Sequence, residues 1–321
     1  MGLSATEIGV NLPWFGGAYG HDLGRNLAYP DWPVWYSSTK VSELLEFVRS
    51  FDIRLVRIWL FEEGEGIDAE GRLDEVFLRN LCDLVERIGS AGVQVYWTLF
   101  DANGARGRDL STTRILTEPA VTRQFASHAL AAVAPVIKDV AWAIDLCNEP
   151  EAIVKGDTGN WTRSGWKWPR LRPSLAILRE SVAALLPGVR VSIGSGYHDH
   201  RNLADGVYDR LDLNLDFLDF HLYIPLGEAL ACPRRTEISS VLPVVLGEIG
   251  CIIPDEDRGS EQTWTASQTH LAAHMEAVRE LGYAAVFPWY INDPDAADAT
   301  GLVFRGQAGV ALRALSPLRN V

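Results

Sequence analysis

Two glutamates stand directly after apolar runs in this sequence and are the best candidates for chemistry. The run Val140–Cys147 is followed by Asn148 and Glu149, and the run Pro243–Gly247 is followed by Glu248. Such runs are typical of strands buried on both faces of a parallel sheet. A proline comes next after the first glutamate, where it ends the hydrogen bonding of the strand. Each carboxylate is therefore predicted where a buried strand leaves the core.

Two carboxylates placed in this way suit the hydrolysis of a glycosidic bond. That reaction needs one protonated carboxyl group and one ionised carboxylate on either side of the bond. Arg57 interrupts another apolar run and must be paired if it points inward. Beside one glutamate it would keep that group ionised, and Tyr223 could donate a hydrogen bond to the same carboxylate. The alternative is that Arg57 pairs with a purely structural carboxylate.

These side chains need a scaffold that brings strand ends together. An apolar run, a loop rich in Gly, Trp or Asp, and a helical pattern recur along the whole chain. The predicted strands are Glu7–Leu12, Ile53–Leu60, Val93–Phe100, Val140–Cys147, Val189–Ile193, Leu215–Tyr223, Pro243–Glu248 and Ala284–Trp289. The predicted helices are Val41–Phe51, Leu73–Ala91, Pro119–Val136, Trp168–Leu186, Arg201–Arg210, Pro233–Val241, Glu261–Leu281 and Gly306–Leu315. This alternation predicts a fold of the α/β class, an eight-stranded parallel (β/α)8 TIM barrel, as a single domain over residues 1–321.

Polar and aromatic side chains stand at the other predicted strand ends. His221 and Tyr223 are two residues apart and share one face of the sixth strand, while Asp101 ends the third and Trp289 the eighth. In a barrel these ends meet at the carboxyl-terminal rim, where active sites lie. Together with Glu149 and Glu248, they predict one site.

Tryptophans are concentrated in the loops that would surround this rim. Trp14 follows the first strand, and Trp161, Trp166 and Trp168 lie in the polar loop after the fourth. Their flat apolar faces are surfaces on which sugar rings pack. Packing of the loop tryptophans onto the tops of helices is the alternative interpretation.

The ordered set of strand-end residues resembles the glycoside hydrolases of clan A, most closely family 5, the cellulase and mannanase family. The resemblance spans nearly the whole chain. It rests on Asn148-Glu149-Pro150, His221-Leu-Tyr223, Gly247-Glu248, Arg57 and Trp289.

The resemblance implies a role for each matched residue in a retaining double displacement. Glu149 would be the acid/base and Glu248 the nucleophile, and Arg57 and Tyr223 would orient the nucleophile. The remaining roles would be 2-hydroxyl binding by Asn148, contact with the acid/base or substrate by His221, and stacking under the sugar by Trp289. One departure from the pattern is the absence of a histidine at the end of the third strand, where Asp101 would replace its substrate contact.

Composition limits the partners. The net charge of −13 disfavours nucleic acid and anionic membranes and fits a neutral carbohydrate. No apolar run is long enough to span a bilayer, and the first residues lack the pattern of a signal peptide, so we expect a cytoplasmic protein, or a secreted one if the sequence has been trimmed. We expect no cofactor. Cys232 and Cys251 lie near two strand ends, which leaves a disulfide open, and the oligomeric state is not indicated.

Two other functional classes fit parts of the pattern. A metal-dependent hydrolase barrel could use His198, His200 and His221, although a lone His-x-His is more often part of a polar loop. A non-catalytic carbohydrate-binding barrel would keep the fold and the tryptophans without turnover. Chelation separates the first class from a glycosidase, and a hydrolysis assay separates the second.

Overall fold

The computed structural model describes residues 6–13, 15, 22–27, 29–68, 70–102, 112–150, 152–153, 168–196, 213–238, 241–253, 260–291, 301–304 and 307–314. Its main feature is a nine-segment sheet in which every pair of neighbouring strands is parallel. The segments are β1 (Glu7–Ile8), β2 (Val10–Asn11), β3 (Leu55–Trp59), β4 (Gln94–Thr98), β5 (Ala141–Asn148), β6 (Arg190–Ser195), β7 (Leu218–Pro225), β8 (Val244–Ile252) and β9 (Ala285–Pro288). The predicted single-domain parallel barrel fold is confirmed.

The barrel closes at Gly9, which splits the predicted first strand into β1 and β2. β1 pairs with β9, the last strand, while β2 pairs with β3. A Cβ at Gly9 would overlap the ring of Phe287 and lie 3.0 Å from the Leu55 carbonyl oxygen. Glycine is therefore required where the chain passes from its pairing with β9 to its pairing with β3. The two segments together form one of the eight strands of the barrel.

Helices cover the outside of the barrel. They are α1 (Ser38–Ser50), α2 (Glu75–Ser90), α3 (Thr112–Thr117), α4 (Pro119–Phe125), α5 (Ala131–Ile137), α6 (Trp168–Leu185), α7 (Glu261–Arg279) and α8 (Val310–Ala314). Side-chain caps start three of them: Ser37, Asp74 and Ser260 accept hydrogen bonds from first-turn N–H groups of α1, α2 and α7. One π-helical turn, Ala126–Leu130, joins α4 to α5, so the predicted helix Pro119–Val136 is present with an irregular middle.

Two predicted helices do not match the structure. Pro233–Val241 was predicted helical, but its described part contains only the 3-10 turn Arg235–Glu237. Side chains bind backbone carbonyls there that a helix would use, since Tyr283 donates to the Pro233 carbonyl and Arg235 to the Ile238 carbonyl. The final helix is shorter than predicted and follows a small antiparallel hairpin, β10 (Val303–Phe304) and β11 (Gln307–Ala308). The predicted helix Arg201–Arg210 lies outside the described residues.

Within the described ranges of the chain, the core consists of two apolar clusters. The larger one lies where the strands face the surrounding helices. The smaller one consists of Leu55, Tyr96, Trp142, Ala143, Phe217, Val245, Ala285 and Phe287. The alternation of side chains along each strand places most of this second cluster inside the barrel, where layers of inward side chains fill the interior. Trp142, which is adjacent to Ala143, packs on Tyr96 where the register between β4 and β5 shifts. The second cluster forms the floor beneath the strand ends.

All four cysteines are free thiols, including Cys232 and Cys251. In the part of the chain that the structure describes, no helix has the length and apolar character needed to cross a membrane.

Candidate active site

The polar layer of the barrel begins two residues beyond the apolar floor. Arg57 follows Leu55 on β3, and Asp145 follows Ala143 on β5. Because alternate residues of a strand share a face, both side chains point inward just above the floor. Each is completely buried, so their charges must satisfy one another.

Arg57 joins the strands of this layer through its two terminal nitrogens. One nitrogen donates to Glu248 Oε1 at 2.7 Å and to Asn11 Oδ1 at 3.2 Å. The other donates to Asp145 Oδ2 at 2.7 Å and to Asn148 Oδ1 at 2.9 Å. The guanidinium carbon also lies 4.4 Å from the centre of the Trp59 ring. The guanidinium is therefore held rigidly beneath the strand ends.

Glu248 is a buried carboxylate held at both oxygens. Arg57 binds Oε1, and the Tyr223 hydroxyl donates to Oε2 at 2.5 Å. Burial raises the pKa of Glu248, while His221, Arg57 and the Tyr223 hydroxyl act in the opposite direction. These contacts stabilise the ionised form in a place where water cannot.

Glu149, which follows directly after β5, has an unusual backbone conformation. Its φ of +47° is in the left-handed region, which non-glycine residues rarely adopt. Its N–H donates to the Gly194 carbonyl at 2.8 Å, and its Oε1 lies 2.9 Å from His221 Nδ1. Burial lowers the pKa of His221 to about 4, against the effect of the Glu248 carboxylate. A neutral imidazole therefore contacts Glu149 at neutral pH.

The two glutamates face one another at short range. One oxygen of each, together with one His221 ring nitrogen, lies within 4.8 Å of the others, and among the described residues these three side chains form the group that could hold a metal ion. Arg57 in direct contact with Glu248 disfavours a second cation there, because two positive charges would share one carboxylate. The group fits a carboxylate pair better than a metal site.

The other predicted site residues take supporting positions. The Asn148 amide donates to Asp101 Oδ1 at 2.9 Å, so Asp101 contacts Asn148. Trp289 is partly buried at the end of β9, with its ring edge-on to Trp59 at 5.8 Å between centroids and to Tyr223 at 6.3 Å. The structure thus brings together the predicted residues that it describes. Trp14, Trp166, His198 and His200 lie outside the described residues.

Four further residues belong to the polar network although the sequence did not single them out. Asn11 accepts from Arg57, Asp145 pairs with it, and the Tyr96 hydroxyl donates to Asp219 at 2.7 Å. Burial raises the pKa of Asp219 to about 8, even though Arg57 acts in the opposite direction. The available signal was a polar residue inside an apolar strand, and for Asp219 also a spacing of two residues from His221.

Comparisons with known proteins show the fold. No protein-family model and no curated protein matches the sequence. Among solved structures, the chain is similar to a β-1,4-mannanase from the common sea hare Aplysia kurodai, with a TM-score of 0.69, 17% identity, and coverage of 100% of this chain and 94% of that one. It is also similar to an endo-1,4-β-mannanase from Eisenia fetida, with a TM-score of 0.69, 15% identity, and coverage of 98% and 92%.

A third structure, a GH5_18 protein from Streptomyces cattleya in complex with Manβ1-4GlcNAc, has a TM-score of 0.68 and 15% identity, with coverage of 97% of this chain and 79% of that one. At these identities the likeness is one of fold. These proteins therefore share with this chain the barrel fold that the sequence resemblance implies.

Proposed function

We propose that this protein is a retaining β-glycoside hydrolase in which Glu149 is the acid/base and Glu248 the nucleophile. The observation that carries the proposal is the short separation of the two carboxylates, within 4.8 Å between nearest oxygens. Retaining glycosidases hold their carboxyl groups about 5–5.5 Å apart, whereas inverting enzymes leave about 6.5–9.5 Å for a water molecule. The short distance between the two oxygens supports the retaining arrangement.

In the first step, Glu248 attacks the anomeric carbon and Glu149 gives its proton to the departing glycosidic oxygen. Arg57 and Tyr223 favour the ionised form of Glu248 against the effect of burial, and they fix the direction of its carboxylate. The bond to the leaving sugar breaks as the bond to Glu248 forms. The charge of the leaving oxygen is cancelled by the transferred proton.

In the second step, the now ionised Glu149 removes a proton from water, which attacks the same carbon and releases Glu248. His221 contacts Glu149 in both steps and, as a neutral imidazole, leaves the proton to the carboxyl group. Two inversions at one carbon give net retention. Asn148, held by Arg57 and Asp101, can present its amide to a sugar hydroxyl.

For the substrate we propose neutral β-1,4-linked oligo- or polysaccharides, with β-mannan preferred to β-glucan. The net charge of −13 is compatible with an uncharged substrate. The similar solved structures support mannose in particular, since two of them are β-1,4-mannanases and a third is bound to a disaccharide containing mannose.

The test is a hydrolysis screen over β-1,4-manno-, gluco- and xylo-oligosaccharides and aryl β-glycosides, with products sized and the first-formed anomer identified by proton NMR. We expect cleavage of manno-oligosaccharides with the β-anomer released first. Glu149→Gln and Glu248→Gln should each reduce the rate on unactivated substrates by orders of magnitude. Initial release of the α-anomer, or near wild-type rates in either variant, would contradict the proposal.

The same hydrolysis assay, run with and without a chelator, separates a glycosidase from the metal-dependent hydrolase and the carbohydrate-binding barrel. Loss of activity after exhaustive chelation, restored by a divalent metal, would favour a metal-dependent hydrolase built on Glu149, His221 and Glu248. Binding of oligosaccharides without hydrolysis would favour a carbohydrate-binding barrel. We expect full activity after chelation and turnover of at least one substrate.

A further inference from the structure

We propose that Asp145 is a positioning residue that sets the basicity of Glu248 by sharing Arg57 with it. The inference rests on the nucleophilic role proposed for Glu248. Asp145 is the charged residue inside the otherwise apolar fifth strand, and it lies below the site where it cannot touch a substrate. Its action on the reaction must therefore pass through its neighbours.

The sharing is visible in the geometry of the guanidinium. Arg57 Nη1 lies 2.7 Å from Glu248 Oε1, and Arg57 Nη2 lies 2.7 Å from Asp145 Oδ2. All three side chains are buried, so water screens none of these charges. One positive charge thus serves two carboxylates at equal distance. Removing the charge of Asp145 would leave Arg57 to Glu248 alone.

The expected consequence is a less basic nucleophile. An arginine given wholly to one carboxylate lowers its pKa by about 1–3 units. The other groups facing Glu248 are Glu149, just after β5, and His221 and Tyr223 on β7. Of these, His221 also feels the charge of Asp145, which raises its pKa, so the titration follows Glu248 itself. While Arg57 is shared with Asp145, Glu248 keeps its contact with the guanidinium but retains more of its nucleophilic character.

Asp145 also holds the backbone on which Glu149 is placed. Its Oδ1 accepts the N–H groups of Cys147 at 3.0 Å and Gly194 at 2.9 Å, which ties β5 to β6. The Gly194 carbonyl in turn accepts the N–H of Glu149. The same carboxylate therefore positions both members of the catalytic pair, one through a guanidinium and the other through backbone.

The test is a pH titration of the Glu248 carboxyl carbon by NMR, assigned by its absence in Glu248→Gln, in the wild type and in Asp145→Asn. We expect the pKa of Glu248 to fall by about one unit or more in Asp145→Asn. The acidic limb of kcat/KM should move to lower pH by the same amount, with at least a tenfold lower kcat. An unmoved or raised pKa in a folded variant overturns the inference, since a structural role would lower kcat without moving the limb.

Two further variants complete the design. Thr98→Val removes the hydroxyl that donates to Asp145 Oδ2 at 3.2 Å, so Asp145 should draw Arg57 more strongly and the pKa of Glu248 should rise. If Asp145→Asn fails to fold, this rise decides the question, and its absence overturns the inference. Asp219→Asn is the matched comparison, because Asp219 is equally buried and accepts hydrogen bonds from the Gly247 N–H and the Tyr96 hydroxyl, whereas it acts on Arg57 only through space and not through a hydrogen bond among the described residues. It should leave the pKa of Glu248 nearer the wild-type value.

The titration does not depend on turnover. If the wild-type protein hydrolyses none of the glycosides, the proposed function fails, while the change in the Glu248 pKa still supports or overturns the link through Arg57. If hydrolysis is found and the pKa does not respond to Asp145→Asn, the proposed function stands and this inference fails.

Discussion

At the scale of single residues, Arg57 answers a question that the sequence left open. Its alternatives were a structural carboxylate or a catalytic one, and in the structure it pairs with two carboxylates, Asp145 below and the proposed nucleophile Glu248 above. A buried arginine with one partner removed would leave an uncompensated charge, which costs about 3–5 kcal/mol. Structural support and the proposed catalysis are therefore coupled through one side chain.

Tyr223→Phe tests the second support of the nucleophile. The variant loses the 2.5 Å hydrogen bond to Glu248 Oε2. A hydrogen bond to a charged group contributes about 1.5–3 kcal/mol, so we expect kcat/KM to fall about 10- to 100-fold. Because the hydroxyl favours the ionised carboxylate, its loss should also move the acidic limb of kcat/KM to higher pH, measured on the best substrate of the screen.

Tyr36→Phe is the matched control for that prediction. Tyr36 also donates to a carboxylate, Asp83 Oδ2 at 2.6 Å, but this pair joins the segment before α1 to α2, in the layer of helices outside the barrel. We expect a modest loss of stability and unchanged kcat/KM. Equal losses of activity in both variants would mean that Tyr223 acts through general stability.

At the scale of elements, the site depends on an irregularity that no periodicity predicts. Asp145 and Asn148 are three residues apart, so regular alternation would place them on opposite faces of β5. The register between β5 and β6 shifts between these two residues, and as a result both side chains reach Arg57. Strand existence and the residue at each strand end were predictable from apolar runs, whereas this contact was not.

Other differences have the same origin in tertiary contacts. The split at Gly9 follows from the closeness of Phe287, which is distant in the sequence. The predicted helix Pro233–Val241 is replaced by a 3-10 turn, Arg235–Glu237, and the Pro233 carbonyl before that turn accepts a hydrogen bond from the distant Tyr283. Hydrophobic patterns report the face that a segment buries, but they carry no information about such partners.

Gly194→Ala tests how closely β6 fits the polar layer. A Cβ there would lie 3.0 Å from His221 Nε2, 3.1 Å from Asp145 Oδ2 and 3.2 Å from Arg57 Nη2, so all three must move by a few tenths of an ångström. We expect a loss of stability of about 1 kcal/mol and at least a tenfold fall in kcat/KM, because misplaced catalytic groups cost more than the strain itself. Full activity with lowered stability would show that the layer adapts freely.

At the scale of the whole molecule, the apolar side chains that stabilise the barrel lie deep in its interior, and the polar side chains of the candidate site lie in a layer above them. The floor of Leu55, Ala143, Val245 and their neighbours is apolar, and buried apolar surface contributes about 25 cal/mol per Å². The layer above contains Arg57, Asp145 and Asp219, whose burial is costly unless each is paired. The closed ring of strands makes this possible, because it holds the paired groups in place from all sides.

Closure of the ring is therefore the property on which the whole site depends, and Gly9→Ala tests it. The added methyl group would overlap the Phe287 ring where β1 leaves β9 and β2 joins β3. Overpacking of this kind costs about 1–3 kcal/mol, which should lower the urea midpoint in equilibrium unfolding. Gly89→Ala is the control, since Gly89 is exposed in α2 with its nearest neighbour, Val140 Cγ1, 3.7 Å from the added carbon. Gly89→Ala should raise the free energy of unfolding by about 0.5–1 kcal/mol. Equal urea midpoints for Gly9→Ala and the wild type would contradict this prediction, because they would show that the contact between the first and last strands accommodates the added methyl group.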